Sequence, residues 1–131
     1  MKRGKPGRRG AEARGRRAEA IAAWLLRLKG YSILARRFRC GAGEVDLVAR
    51  RGRMLAFVEV KVLAGETARR EPVTLRQQDR IVRAASAFRS QRPALAVLDI
   101  RYDLILSRPG GWPRHLRDAW RPEAAHLTAL I

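Results

Sequence analysis

Cysteine is nearly absent. Cys40 is the only one in 131 residues, so no disulfide can form within the chain. That suits a reducing cytoplasm, the compartment expected here. Long apolar runs are missing too. No stretch approaches the roughly 18 apolar residues that a membrane-crossing helix needs. No apolar segment follows the basic first residues, as a secretory leader would require. Neither a membrane span nor a leader is expected. Histidine is scarce: His115 and His126 stand eleven residues apart, which is no zinc spacing. Neither GxGxxG nor a Walker sequence occurs, so no phosphate-cradling loop for ATP or a dinucleotide is expected. Acidic residues are the last shortage. Twelve Asp or Glu face 29 Lys or Arg, giving a formal charge of +17 and a sequence pI of about 11.8. A neutral metabolic enzyme has no use for such an excess, whereas a polyanionic partner explains it. Nucleic acid is the first candidate and an anionic membrane surface the second. An Arg-rich genome with no ligand behind the charge is the plain alternative.

What is present is organised around Gly43 to Leu63, GEVDLVARRGRMLAFVEVKVL. It reads as two β-strands joined by a tight turn at Arg51-Gly52-Arg53, mostly apolar and β-branched as buried strands are. Glu44, Asp46, Glu59 and Lys61 interrupt it. An unpaired buried carboxylate costs several kcal/mol, so a strand that retains these groups is expected to use them. Period-2 geometry puts Glu44, Asp46 and Val48 on one face of the first strand. It puts Leu55, Phe57, Glu59, Lys61 and Leu63 on one face of the second. A loop at Gly52-Arg53 sets Asp46 opposite Glu59; a loop at Arg51-Gly52 makes them diagonal neighbours, and a three-residue loop with a bulge changes the register. Two carboxylates that close repel unless a cation lies between them, and oxygen ligands favour Mg²⁺ or Mn²⁺.

Hydrophobic residues make up 47% of the chain, enough for one domain with a real core. Residues 1–15 read as a flexible basic arm, residues 16–107 as the domain and residues 108–131 as a tail packing on it. Residues 16–29 predict an amphipathic helix with Ala18, Ile21, Ala22, Leu25 and Leu28 as its apolar stripe and Gly30 ending it. Trp24 is assigned to the core. Residues 31–38 predict a strand, and Arg36, Arg37 and Arg39 beside it flank a groove for nucleic acid or form a solvated strand end. Residues 64–73 predict a polar loop. Thr74 is a good N-cap for a helix over 74–90, whose buried side is read as Leu75, Gln78, Ile81, Val82, Ala85 and Phe88. Arg76 and Arg80 give that helix basic surface. Residues 94–107 predict two strands, or one long bent strand, with Asp103 structural. The tail predicts irregular structure with a short helix. This order predicts an α/β sandwich in which helices flank a mixed central β-sheet.

Asp46 followed by Glu59-Val60-Lys61 resembles the D…ExK core of the PD-(D/E)xK nuclease superfamily. GEVDLVAR followed by FVEVK, with the upstream AE helix and GYSIL strand, is similar to the YraN-type family, also called UPF0102, itself considered similar to Holliday-junction resolvases. The resemblance covers roughly residues 15–107. It implies a restriction-endonuclease-like fold and metal-dependent hydrolysis of nucleic acid, DNA in the first instance. It implies that Asp46 and Glu59 hold Mg²⁺ or Mn²⁺, with the Val60 carbonyl as a further ligand. Lys61 would orient or deprotonate the attacking water, and Glu19 would complete the metal shell or position water. A junction-cutting enzyme would need two active sites, hence a homodimer. Family members carry a Lys near the start of the second helix where this chain has Gln77, and Arg76 stands beside it. Two other readings stand alongside. In one, Glu59 and Lys61 pair at the sheet edge, Asp46 caps a turn, and the protein binds nucleic acid without cutting it. In the other, the protein is an assembly factor that works through its basic arm.

Overall fold

The computed structural model describes residues 8–63 and 73–122. Expectations for the first residues of the arm, the 64–72 loop and the end of the tail fall outside them. Helix α1 (Arg8–Leu28) is followed by β1 (Ser32–Cys40), β2 (Gly43–Arg51) and β3 (Met54–Val62). Helix α2 (Leu75–Ser90), a single 3-10 turn (Pro93–Leu95), β4 (Asp99–Ser107) and β5 (Arg114–Leu116) complete it. The five strands form one sheet in the order β1-β2-β3-β4-β5. All neighbours are antiparallel except β3 and β4, which run parallel from Met54↔Asp99 to Val62↔Ser107. Parallel neighbours need a crossover, and α2 lies in that crossover. The architecture is the expected α/β one, with a mixed sheet and a helix against each face.

The hairpin closes on Gly52-Arg53, since Arg51 pairs with Met54. Gly52 sits at φ 60, which a two-residue hairpin turn requires at its first position and which glycine adopts without strain. Helix α2 starts with a complete capping box: Thr74 accepts from the Gln77 amide, and the Gln77 side chain accepts from the Thr74 amide. Its buried face is Ile81, Val82, Ala84, Ala85 and Phe88. Phe88 meets Phe38 and Phe57 edge-on at centroid distances of 5.2 and 6.0 Å. Burying one such ring contributes about 1.5–3 kcal/mol. Leu75, expected on this face, is 55% exposed because it occupies the first turn, before the helix reaches the sheet.

Helix α1 covers the other face, through Ala22, Ala23 and Leu26 against Leu47, Ala49, Ala56, Val58 and Ile105. It starts at Arg8, inside the stretch read as an arm. Its stripe is also turned from the expected one: Ile21, Leu28 and Trp24 face solvent. Both flanks of the helix are apolar, and the flank with small alanines allows the backbone to approach the sheet closely. The tail supplies a strand, β5, rather than a helix among the described residues.

Gly43 marks the closest approach of β2 to α2. A Cβ there would stand 2.6 Å from the Ala84 nitrogen and 2.8 Å from the Arg80 carbonyl oxygen. Both are helix backbone and cannot rotate away. Gly43→Ala is therefore expected to destabilise the protein by about 1–3 kcal/mol, read as a lowered urea midpoint. An unchanged midpoint would show that α2 can move off the strand at no cost.

Candidate active site

Strand β3 is regular. Leu55 and Phe57 pack toward α2, while Ala56, Val58 and Val60 pack toward α1. The same alternation carries Glu59 and Lys61 to the α2 side. Lys61 Nζ donates to Gln77 Oε1 at 3.1 Å, and that oxygen also accepts from the Thr74 amide at 3.0 Å. The capping box of α2 thus holds the lysine in place.

Strand β2 is not regular. Its pairing with β3 runs from Arg51↔Met54 to Leu47↔Val58 and stops. Continued by one step, that register would set Asp46 opposite Glu59. Instead Asp46 Oδ2 accepts from the Val60 amide at 2.7 Å, so a carboxylate takes the place of a backbone acceptor. The strands part here, with Asp46 on one side of the fork and Glu59 and Lys61 on the other. The expected common face of Glu44, Asp46 and Val48 is corrected at this point. Val45 and Val48 both pack on the α2 side, while Leu47 and Ala49 pack on the α1 side. The alternation slips at Asp46, and β1 slips beside it. Arg37, between the pairs Arg36↔Leu47 and Phe38↔Val45, adopts φ 54. The left-handed region costs a non-glycine residue about 1–2 kcal/mol.

Asp46 and Glu59 are partly buried and close enough to share a hydrogen bond. Burial, then the neighbouring Asp46 charge, pushes Glu59 up to about 8. Burial also raises Asp46, against the opposing hydrogen bond from the Val60 amide. Two desolvated carboxyl groups, Glu59 raised further by the Asp46 charge and Asp46 by the charges of Glu19 and Glu44, form a site that a cation would relieve. The donors are oxygen only, so they fit a hard divalent ion, Mg²⁺ or Mn²⁺. Among the described residues no group of three His, Cys, Asp or Glu gathers as a metal cage, so the fit rests on this pair.

Glu19 approaches from α1, near enough to act on the Asp46 charge. Its carboxylate accepts from Arg37 Nε at 2.6 Å. Arg37, read as a nucleic-acid contact, thus stands as a counter-ion beside the acidic cluster. Glu44 is bound by Arg80. Arg39, Arg76 and Arg80 line one cavity of about 460 Å³ with Glu44 and Asp79. Arg36 is exposed on β1. Two participants were not assigned from sequence. Gln77 as the anchor of Lys61 was signalled by the T-x-x-Q capping pattern; Arg37 as the Glu19 partner had no sequence signal.

A model of a protein family described as "Uncharacterised protein family UPF0102" matches residues 18–106. A UPF0102 protein of Parvibaculum lavamentivorans is 54% identical over 108 residues, covering 82% of this chain and 81% of that one. A UPF0102 protein of Maricaulis maris is 53% identical over 116 residues, covering 88% and 91%. A solved structure of Archaeoglobus fulgidus Hjc, a Holliday junction resolvase from an archaeal hyperthermophile, is 20% identical with a TM-score of 0.49, covering 84% of this chain and 79% of that one. At that score the likeness adds nothing to the site geometry.

Proposed function

The chain belongs to the UPF0102 family, and we propose that it is a metal-dependent nuclease that hydrolyses phosphodiester bonds of DNA, branched or junction DNA included. One observation carries this reading: Asp46 and Glu59 meet at the fork between β2 and β3, with Lys61 fixed beside them. Asp46 and Glu59 would hold Mg²⁺ or Mn²⁺, with the Val60 carbonyl as a further ligand. The bound ion would supply Lewis-acid polarisation of a phosphoryl oxygen and lower the pKa of water. Lys61 would orient the attacking water and oppose the negative charge that grows on the phosphate. Gln77 restricts where that ammonium can go. Glu19 would position water once Arg37 releases it. The charge of +17 supports a polyanionic substrate.

A binding module without catalysis is the second reading. The engagement of Glu19 and Glu44 by arginines favours it. Metal separates the two. Duplex, branched and single-stranded DNAs incubated with Mn²⁺ or Mg²⁺ should be cut by the nuclease, and EDTA should stop the cutting. DNA binding that persists unchanged in EDTA, with no cutting of any of these DNAs in metal, would leave only the binding module.

A further inference from the structure

A cavity of about 660 Å³ lies between the N-terminal half of α1 and the connection from β4 to β5. Ile21, Val62, Pro113 and Trp112 give it apolar walls, and Arg14, Arg17 and Arg108 stand around them. No acidic side chain among the described residues lines it. Trp112 is 79% exposed. A free indole face at the edge of a cavity differs from Trp120, whose ring is stacked on Tyr102 at 4.4 Å. The connection is braced: the Gly111 amide donates to the Arg108 carbonyl at 3.2 Å, and two prolines restrict the chain around it.

The cavity and the candidate site share α1 and β3. Val62 follows Lys61, and Ala18 precedes Glu19. Successive side chains on a strand point to opposite faces, so Val62 faces the α1 side with the cavity while Lys61 faces the α2 side. We infer that this cavity is a subsite for an unpaired nucleobase, which stacks on Trp112 while Arg14, Arg17 and Arg108 take the flanking phosphates. An aromatic face with cations around it is how proteins hold single-stranded nucleic acid without reading its sequence. An apolar peptide would bring no charge to meet three arginines, and a second copy of this chain would bring a net like charge of +17. A fully paired duplex cannot offer the base, so the favoured substrate carries an unpaired strand. That such a substrate is cut rests on the nuclease reading; the binding itself does not.

The test is fluorescence anisotropy in EDTA, where nothing is cut, with labelled oligonucleotides: a blunt duplex, the same duplex with a single-stranded flap, and the single strand. The parent protein, Trp112→Ala and Trp112→Phe are compared, each with a thermal melt to confirm folding. Trp112→Ala is expected to weaken flap and single-strand binding about tenfold and to leave the blunt duplex within about twofold. Trp112→Phe should recover most of the loss. Equal affinity of parent and Trp112→Ala for the flap would overturn the subsite and leave the nuclease reading standing. Failure of the parent to bind any of these DNAs would overturn both. A shift from dimer to monomer in Trp112→Ala on sedimentation would show that the cavity receives a second copy, and would also overturn the subsite.

Discussion

Glu59→Gln is expected to raise the melting temperature of the metal-free protein at pH 8 or above by on the order of 5 °C, and to reduce Mn²⁺-dependent DNA cutting by about 10²–10³. The two effects share one cause. The Glu59 carboxyl is raised from its ordinary 4.5 to about 8 by burial and by Asp46. The folded state therefore binds this proton more tightly than the unfolded chain does. Its contribution to stability is complete below about pH 4.5 and is lost as pH rises through about 8. Glutamine keeps the shape, carries no charge and has no such loss. The gap between variant and parent should open between those two pH values and stay level above them. Adding Mn²⁺ should raise the parent's melting temperature by mass action on the folded state and move the variant's far less. Parallel melting curves across this pH range, with and without metal, would remove the paired-carboxylate account of the fork.

The central hairpin and α2 were legible because their information is local. Alternating apolar residues, a turn around Gly52 and the Thr74 cap each act within a few residues, whereas the choice of Gly52-Arg53 among the possible loops comes from the Arg51↔Met54 pair. The behaviour of Asp46 was not local. Its carboxylate enters the ladder where Arg37, nine residues earlier on another strand, adopts the left-handed region and β1 and β2 change faces together. Strict alternation has no way to signal that. For α1 the difficulty was ambiguity: Ala22, Ala23 and Leu26 compete with Ile21, Trp24 and Leu28, and only contact with the sheet decides between them. The tail concealed a further participant. His115 has no partner at metal spacing, and its sequence carries no other signal of a role; β5 carries it onto the flank of β4.

Asp103→Ala is expected to cost about 3–5 kcal/mol of folding stability, because His115 and two other groups converge on that carboxylate through four hydrogen bonds. The side chain is fully buried. Oδ1 accepts from Arg101 Nε at 2.8 Å and from the Asp118 amide at 2.9 Å. Oδ2 accepts from Arg101 Nη2 at 2.7 Å and from His115 Nε2 at 2.8 Å. The tautomer follows from Lys29, whose ammonium has only donors. It stands 2.8 Å from Nδ1, which must accept, so Nε2 carries the proton. Arg101 goes on to donate to the Tyr31 hydroxyl at 2.5 Å. One buried charge thus joins the end of α1, β4, β5 and the loop after it. Alanine would leave the Arg101 guanidinium and the His115 ring facing each other with no acceptor between them. Burial by itself would raise the Asp103 pKa, but the hydrogen bonds from His115, Arg101 and the Asp118 amide hold it below its ordinary 3.8. The stability it contributes is therefore present above about pH 4 and is lost as pH falls below that. Urea melts at pH 7 should show the full deficit, and the parent should converge on the variant in acid. A variant with the parent's midpoint at pH 7 would mean that water replaces the carboxylate without loss, and that this network ties nothing together.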